Sequence, residues 1–325
     1  MKKRVLSGIR ATGRLHLGNY LGAIKGMIEL QNNPSFETFY MVADAHTITT
    51  PFSVDELRQN RREIIIDYLA AGLDPEKSTL FIQSQVSAHF ELAFYFSSVV
   101  SIARMQHLPT YKEKVKQYPN DNTMALLNYP VLMASDILLY KAHLVPVGID
   151  QEPHLEVARE IARKMNQTYK TTFPEPKRFA TAGEYIPSLK GEGKMSKSVE
   201  GSYINLTDSL DEIVKKIRSV PTAAVAGGPI IGGIKTLFIL AKIFFDDNTY
   251  NFYKNQYQDG SLKFVQLKDA LAEKIFAELK PFQEKRRLIS QNQSYVDKVI
   301  KQGAQKAQIV AEKTLQEVKE KMGLM

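Results

Sequence analysis

Short apolar runs alternate with helical patterns over the first half of the chain, and after about residue 204 only helical patterns remain. Val5-Leu6-Ser7-Gly8-Ile9, Thr38 to Ala43, Thr79 to Gln83 and Leu144 to Val147 read as buried strands. Pro146 cannot donate to a ladder, so it belongs at a strand end or a bulge. Between these runs lie amphipathic stretches from about Tyr20 to Leu30 and from Ser53 to Ala71. Ser53 and Glu56 can form a capping box, and Gly72 supplies the stop. Another helix is expected over 153–166. This order predicts an α/β fold: a Rossmann-like, doubly wound parallel sheet with helices on both faces. Ligands then gather at the carboxyl ends of the strands, in the loops 10–19, 44–50 and 148–151.

The later part reads as helices over 208–220, 236–245, 262–279 and 294–322. The last carries the apolar stripe Val296, Val299, Ile300, Ala307, Val310, Ala311, Leu315, Val318 and Met322. The expected division is a Rossmann-like α/β domain over 1–204 and a C-terminal all-α domain over 205–325, with a small-residue loop at 223–233. A chain of 325 residues has room for about two domains.

Composition narrows the chemistry. Cys is absent, which removes disulfides, thiolate ligands and thiol nucleophiles together. No apolar run approaches the ~20 residues of a membrane span, and no secretory pattern follows the basic N-terminus. A cytoplasmic location without membrane partners is the expectation. The net charge of +8 favours a polyanionic partner. No Gly-x-Gly-x-x-Gly follows the first strand, which excludes a dinucleotide dehydrogenase. The histidines show no metal spacing, and no protein-held metal is expected. His89, His107, His143 and His154 read as structural or surface residues.

Two stretches carry the chemistry. Gly13-Arg14-Leu15-His16-Leu17-Gly18-Asn19 sits between the first strand and a helix. Its glycines allow close backbone approach, and a helix N-terminus favours phosphate. His16 alone would read as readily as a surface histidine. Lys194-Met195-Ser196-Lys197-Ser198, flanked by Gly191 and Gly193, can converge two ammonium groups and two hydroxyls on a polyphosphate. As a bare basic pentamer it would read as a solvated loop.

Together these stretches resemble the signature motifs of class I aminoacyl-tRNA synthetases. His16 to Asn19 matches His-Ile-Gly-His with Asn in the last place, and Lys194 to Ser198 is identical to Lys-Met-Ser-Lys-Ser. The stretches Met133 to Tyr140 and Val145 to His154 resemble those of the bacterial tryptophanyl-tRNA synthetases. So do Asp44-Ala45-His46, Tyr111 to Lys114 and Gly232-Gly233-Ile234. The tyrosyl-tRNA synthetases are the nearest alternative, and a regulatory paralogue without aminoacylation is another.

The resemblance implies attachment of L-tryptophan to tRNA(Trp) through an aminoacyl-adenylate, with Mg-ATP as co-substrate and a homodimer as the working form. Residues Phe90 to Phe96 would then serve dimer packing, or else ordinary core. It implies catalytic roles for His16, Lys194, Lys197 and Lys114, although Lys114 reads equally well as a solvated lysine. ATP contacts fall to Arg10, Ala11, Thr12, Gly18, Asn19, Gly148, Ile149, Asp150, Ile186, Met195, Ser196 and Ser198, with both lysines of the loop. Tryptophan contacts fall to Asp136, Leu6, Gly8, His46, Tyr129, Met133, Val145, Val147 and Gln151. By composition alone, Asp136 is as much a helix cap as an indole acceptor. Two departures stand out: Arg10-Ala11-Thr12-Gly13 replaces a Gln-Pro-Ser/Thr-Gly pattern, and Ile149 replaces an acidic residue. Lys280, Lys285, Arg286 and Arg287 form a cationic cluster suited to an anticodon. The absence of Trp fits synthesis during tryptophan scarcity.

Overall fold

The computed structural model describes residues 2–180, 185–197, 199–222 and 228–325. Ser198 and residues 223–227 of the expected loop lie outside them. The strands are β1 (Lys3–Arg10), β2 (Phe36–Ala43), β3 (Ser78–Ile82), β4 (Leu144–Pro146) and β5 (Lys177–Phe179). The helices are, in order, α1 (Leu17–Asn19), α2 (Lys25–Asn32), α3 (Val54–Ala71), α4 (Ala88–Ser97), α5 (Ile102–Gln106), α6 (Pro109–Gln117) and α7 (Met124–Leu139). They continue as α8 (Glu152–Tyr169), α9 (Leu210–Arg218), α10 (Gly232–Phe244), α11 (Asp247–Gln258), α12 (Phe264–Gln291) and α13 (Gln293–Met322). A π-helical turn, Tyr20–Ile24, joins α1 to α2.

Contact density divides the chain into two compact units. One comprises Met1–Gly13, Lys25–Thr181 and Ile289–Met325; the other comprises Arg14–Ile24 and Ala182–Leu288.

The first unit is built on the sheet, in order β3-β2-β1-β4-β5 and parallel throughout. Strand order reverses between β1 and β4, which makes the carboxyl ends of those strands the switch point where α/β sheets bind ligands. Pro146 ends β4, as its missing N–H requires, and its carbonyl accepts from the Ser7 hydroxyl at 2.8 Å. Ser53 caps α3 by accepting from the Glu56 amide, and Gly72 closes that helix at φ 112°. β5, Lys177-Arg178-Phe179, was not expected: three residues without alternation carry no strand pattern. The apolar stripe of α13 is buried except for the half-buried Val310 and Met322, and in this unit it packs on β3. Gly303 makes the approach possible, since a Cβ there would stand 1.7 Å from the Leu80 carbonyl oxygen.

The second unit holds α1, the lysine loop and helices α9 to α11, with α12 as far as Leu288. α9 opens with a full capping box between Ser209 and Glu212. Its carboxyl end is closed by Lys268, whose Nζ donates to the carbonyls of Arg218 at 3.0 Å and Val220 at 2.7 Å. α12 runs on through Pro281 to Gln291, well past the expected end at Leu279. α10 begins at Gly232, so the expected loop ends sooner than its small residues suggested.

Candidate active site

Asp136 sits in α7 and is fully buried. A lone buried carboxylate is costly, so its partners decide what it can do. Oδ1 accepts from Gln83 Nε2 at 2.7 Å and faces His89 Nδ1 at 2.6 Å; Oδ2 faces His46 Nε2 at 2.7 Å. Burial pushes its pKa up, but His46 and His89 more than offset that, and the net shift is downward. The group is therefore an anionic acceptor at neutral pH. Leu6 of β1 and Val145 of β4 are buried in the core that α7 also joins, while Met133, one helical turn before Asp136, and Val147 are half-buried against it.

Gly8 owes its identity to packing, because a Cβ would come within 2.7 Å of Met41 Cγ. His46 is held by the loop after β2. Asp44 accepts from the amides of Ala45 at 3.1 Å and Ser84 at 2.9 Å and pairs with Arg61 at 2.9 Å. Gln83 Oε1 accepts from the Ala45 amide at 3.1 Å, tying this loop to the end of β3.

A second polar cluster lies at the start of α8. The hydroxyls of Tyr129 and Thr110 stand 2.7 and 2.8 Å from His154 Nε2. His154 Nδ1 faces Gln151 Oε1 at 2.9 Å, and Gln151 Nε2 donates to Asp150 at 2.7 Å. His154 is 2% exposed, so it is no surface residue, and the structure adds it to Tyr129 and Gln151 as a partner of both. Burial first, then His46, lowers its pKa to about 4.

Arg10 ends β1. Its Nη2 donates to Thr50 at 3.0 Å, while its buried Nε has no hydrogen-bond partner. Burial lowers the Arg10 pKa, with Tyr129 and Tyr118 opposing. Lys114 is half-buried, donates to Gln117 at 2.7 Å and lies over the Tyr118 ring. Its pKa is lowered by burial and then by the like charge of Arg10. Two cations that feel each other, with an orphaned guanidinium N–H, form a natural anion site. Ile149 is 58% exposed, so a core role for its side chain is excluded.

The second unit holds the phosphate-type elements. His16 precedes α1, and its backbone N–H donates to Asn19 Oδ1 at 3.2 Å, which is why Asn serves in the fourth motif position. Backbone bonds Leu17 to Ile204 at 2.8 Å and Leu206 to Leu15 at 3.1 Å brace it on both sides. Gly18 leaves room for the imidazole, since a Cβ would come 2.9 Å from His16 Cε1.

The lysine loop is a tight hairpin. Met195 N–H donates to Ile186 at 2.9 Å, and Ser188 N–H to Gly193 at 2.9 Å. Met195 and Ile186 are buried anchors. Ser202 Oγ donates to the Ser196 carbonyl at 2.5 Å. Gly191 takes φ 89°, where a side chain would strain the turn. Lys194 is exposed and Lys197 half-buried. Burial, then the charges of Lys197 and Lys194, drive the His16 pKa down to about 3. The two ammonium groups thus share an electrostatic neighbourhood with His16, whose buried Nδ1 lacks a partner.

The expected site residues therefore fall in two groups. Leu6, Gly8, Arg10 to Thr12, His46, Lys114, Tyr129, Met133, Asp136, Val145 and Val147 to Gln151 are in the first unit; His16, Gly18, Asn19, Ile186 and Lys194 to Lys197 are in the second.

His16 and His154 make stability depend on pH. Both are uncharged when folded, whereas an unfolded histidine titrates near 6.5. Below pH 6.5 the unfolded chain takes up protons that the folded chain refuses, so stability falls as pH drops toward 4. Each contributes about 2 kcal/mol of destabilisation at pH 5. Urea unfolding at pH 7 and pH 5 checks this: His154→Gln loses less stability than the unsubstituted protein over that interval.

The parallel sheet, with its switch point between β1 and β4, defines a ligand-binding fold of the doubly wound α/β class. A family model described as tRNA synthetases class I (W and Y) matches residues 1–316, and the chain belongs to that family. The tryptophan–tRNA ligase of Porphyromonas gingivalis is 39% identical, covering 98% of this chain and 98% of its own. The crystal structure of tryptophanyl-tRNA synthetase from Mycoplasma pneumoniae matches with TM-score 0.87 at 32% identity, over 100% of this chain and 99% of that one. The Campylobacter jejuni enzyme, complexed with ADP and tryptophan, matches with TM-score 0.84 at 32% identity, over 98% and 99%.

Proposed function

We propose that this chain attaches L-tryptophan to tRNA(Trp). The observation that carries the reading is the fully buried Asp136, three donors already on its two oxygens and apolar side chains around it. Two carboxylate oxygens offer about four lone-pair sites, so one is left. The indole N–H is donor-only and complements it. Tyr129 and Gln151 hold the α-ammonium and α-carboxylate.

The tryptophan carboxylate is already a nucleophile at neutral pH. It attacks the α-phosphorus of ATP, a new P–O bond forms, and pyrophosphate leaves with the electron pair of the broken one. Phosphoryl transfer of this kind needs positioning and charge stabilisation more than a protein nucleophile. Lys194 and Lys197 follow the charge as it moves to pyrophosphate, and His16 donates to the phosphates. Arg10 and Lys114 contact ATP, and Mg2+ comes with ATP as part of the substrate complex. The terminal adenosine 2′-hydroxyl of tRNA then attacks the acyl carbon, and AMP leaves.

Lys280, Lys285, Arg286 and Arg287, all on α12, serve tRNA phosphates. Phe90 and Phe94 of α4 are exposed rather than core, which favours them for the homodimer contact. Among the described residues no helix is long and apolar enough to cross a membrane.

The test is ATP–pyrophosphate exchange with each amino acid in turn. Exchange with tryptophan alone is the expected result. Exchange driven by tyrosine would replace the substrate, and none with any amino acid would favour a paralogue without aminoacylation.

A further inference from the structure

The Asp136 carboxylate is not simply surrounded by donors; they are distributed unequally over its two oxygens. Gln83 and His89 both bond Oδ1, at 2.7 and 2.6 Å, and fill both of its lone pairs. His46 alone bonds Oδ2, at 2.7 Å. Behind His89 stands Tyr140, its hydroxyl 2.9 Å from His89 Nε2. His89, Gln83 and Tyr140 are all completely buried, so water cannot substitute for any of them.

We propose that Tyr140, His89 and Gln83 are positioning residues for tryptophan selection, which saturate Oδ1 of Asp136 so that the one remaining acceptor site is on Oδ2. The proposal rests on the reading of Asp136 as the indole acceptor.

The direction of each bond follows from chemistry. The anionic carboxylate can only accept, so His89 Nδ1 carries a proton. The Tyr140 hydroxyl has one hydrogen to place and His89 Nε2 stands 2.9 Å away, so Nε2 accepts it. Burial, and then the Asp136 charge, push the Tyr140 phenol well above its ordinary range, so it keeps its proton. Tyr140 thereby selects the histidine tautomer, and the histidine fixes which carboxylate oxygen is spent. Ser135 Oγ donates to the His89 carbonyl at 2.6 Å and pins α4 to α7 at this point. Without the Tyr140 donor, His89 can place its proton on Nε2 and turn an acceptor nitrogen toward Asp136. The carboxylate would then rotate or take up a proton, and an aligned lone pair on Oδ2 would be lost.

The experiment compares tryptophan with its benzothienyl isostere, in which sulfur replaces the ring N–H. Pyrophosphate exchange gives kcat/KM for each, and their ratio reports the acceptor alone. The unsubstituted enzyme is expected to prefer tryptophan strongly. Tyr140→Phe, which keeps the ring, is expected to cut that ratio at least tenfold while leaving KM for ATP unchanged.

His89→Asn supplies the second arm. An amide nitrogen can donate to Oδ1 without help from Tyr140, so adding Tyr140→Phe to this variant is expected to change the ratio no further. Equal loss toward both amino acids in Tyr140→Phe would show a merely structural role and overturn the proposal. So would an additive effect in the double variant. An unsubstituted enzyme that does not distinguish the two amino acids would remove the Asp136 reading, and this inference with it.

Discussion

Asp136→Ala abolishes most of the preference for tryptophan over phenylalanine while ATP binding stays within about twofold. A site built to bond a substrate N–H rejects an analogue lacking it by roughly 10⁴–10⁵, because its buried polar group is left unpaired. An apolar pocket of similar shape achieves only about 10–200-fold. The ratio of kcat/KM for the two amino acids therefore falls by roughly two to three orders of magnitude. The substitution also orphans Gln83, His46 and His89, which now bond the carboxylate. Each orphan costs about 1–3 kcal/mol, so the variant is less stable as well. Selectivity is a ratio measured on one preparation, so the folded fraction cancels. An unchanged ratio would take Asp136 out of substrate selection.

Lys197→Ala acts on the opposite side of the account. Adenylate formation falls by roughly 10²–10³, the effect of removing one preorganised stabiliser worth about 3–4 kcal/mol in the transition state. Tryptophan affinity stays within about twofold, because the lysine meets charge that develops only as pyrophosphate departs. Single-turnover adenylate formation and equilibrium tryptophan binding separate the two quantities. Equal losses in both would mean that the lysine serves ground-state binding or folding instead. The His16 pKa is lowered by burial first and then by the charges of Lys197 and Lys194, so the three groups lie within electrostatic reach of one another.

Much of the catalytic fold is written in local sequence pattern. β1 to β4 are apolar runs of ordinary strand length, and all four occur where those runs lie. β5 is visible only in three dimensions: Lys177-Arg178-Phe179 pairs with β4 because the sheet presents an edge to it, not because its own pattern demands a strand. α12 passes through Pro281, where local rules place a stop, because burial of Leu279 and Phe282 on either side outweighs one lost hydrogen bond. That α13 lies on β3 depends on a single glycine, and nothing in a stripe of apolar residues says which surface it will cover.

The site divides in the same way. His16, Lys194 and Lys197 stand in contiguous motifs, so they can be read directly. Gln83, His89 and Tyr140 cannot, because each acts through a partner far away in the chain. Asp136 lies 53 residues from Gln83, 47 from His89 and 90 from His46. Only the sheet and the α4–α7 packing bring them to one carboxylate. A faint signal existed for His154, three residues after Gln151 at a helix start, where both side chains can meet on one face.

The central claim is that Asp136 accepts the indole hydrogen, and proton–nitrogen correlation spectra of tryptophan labelled with nitrogen-15 in its ring observe that hydrogen directly. Bound to the unsubstituted protein, the ring N–H proton is expected well downfield of its position in free tryptophan, and bound to Asp136→Ala it should return toward that position. A bound resonance that matches free tryptophan, or one that Asp136→Ala leaves in place, would contradict the account.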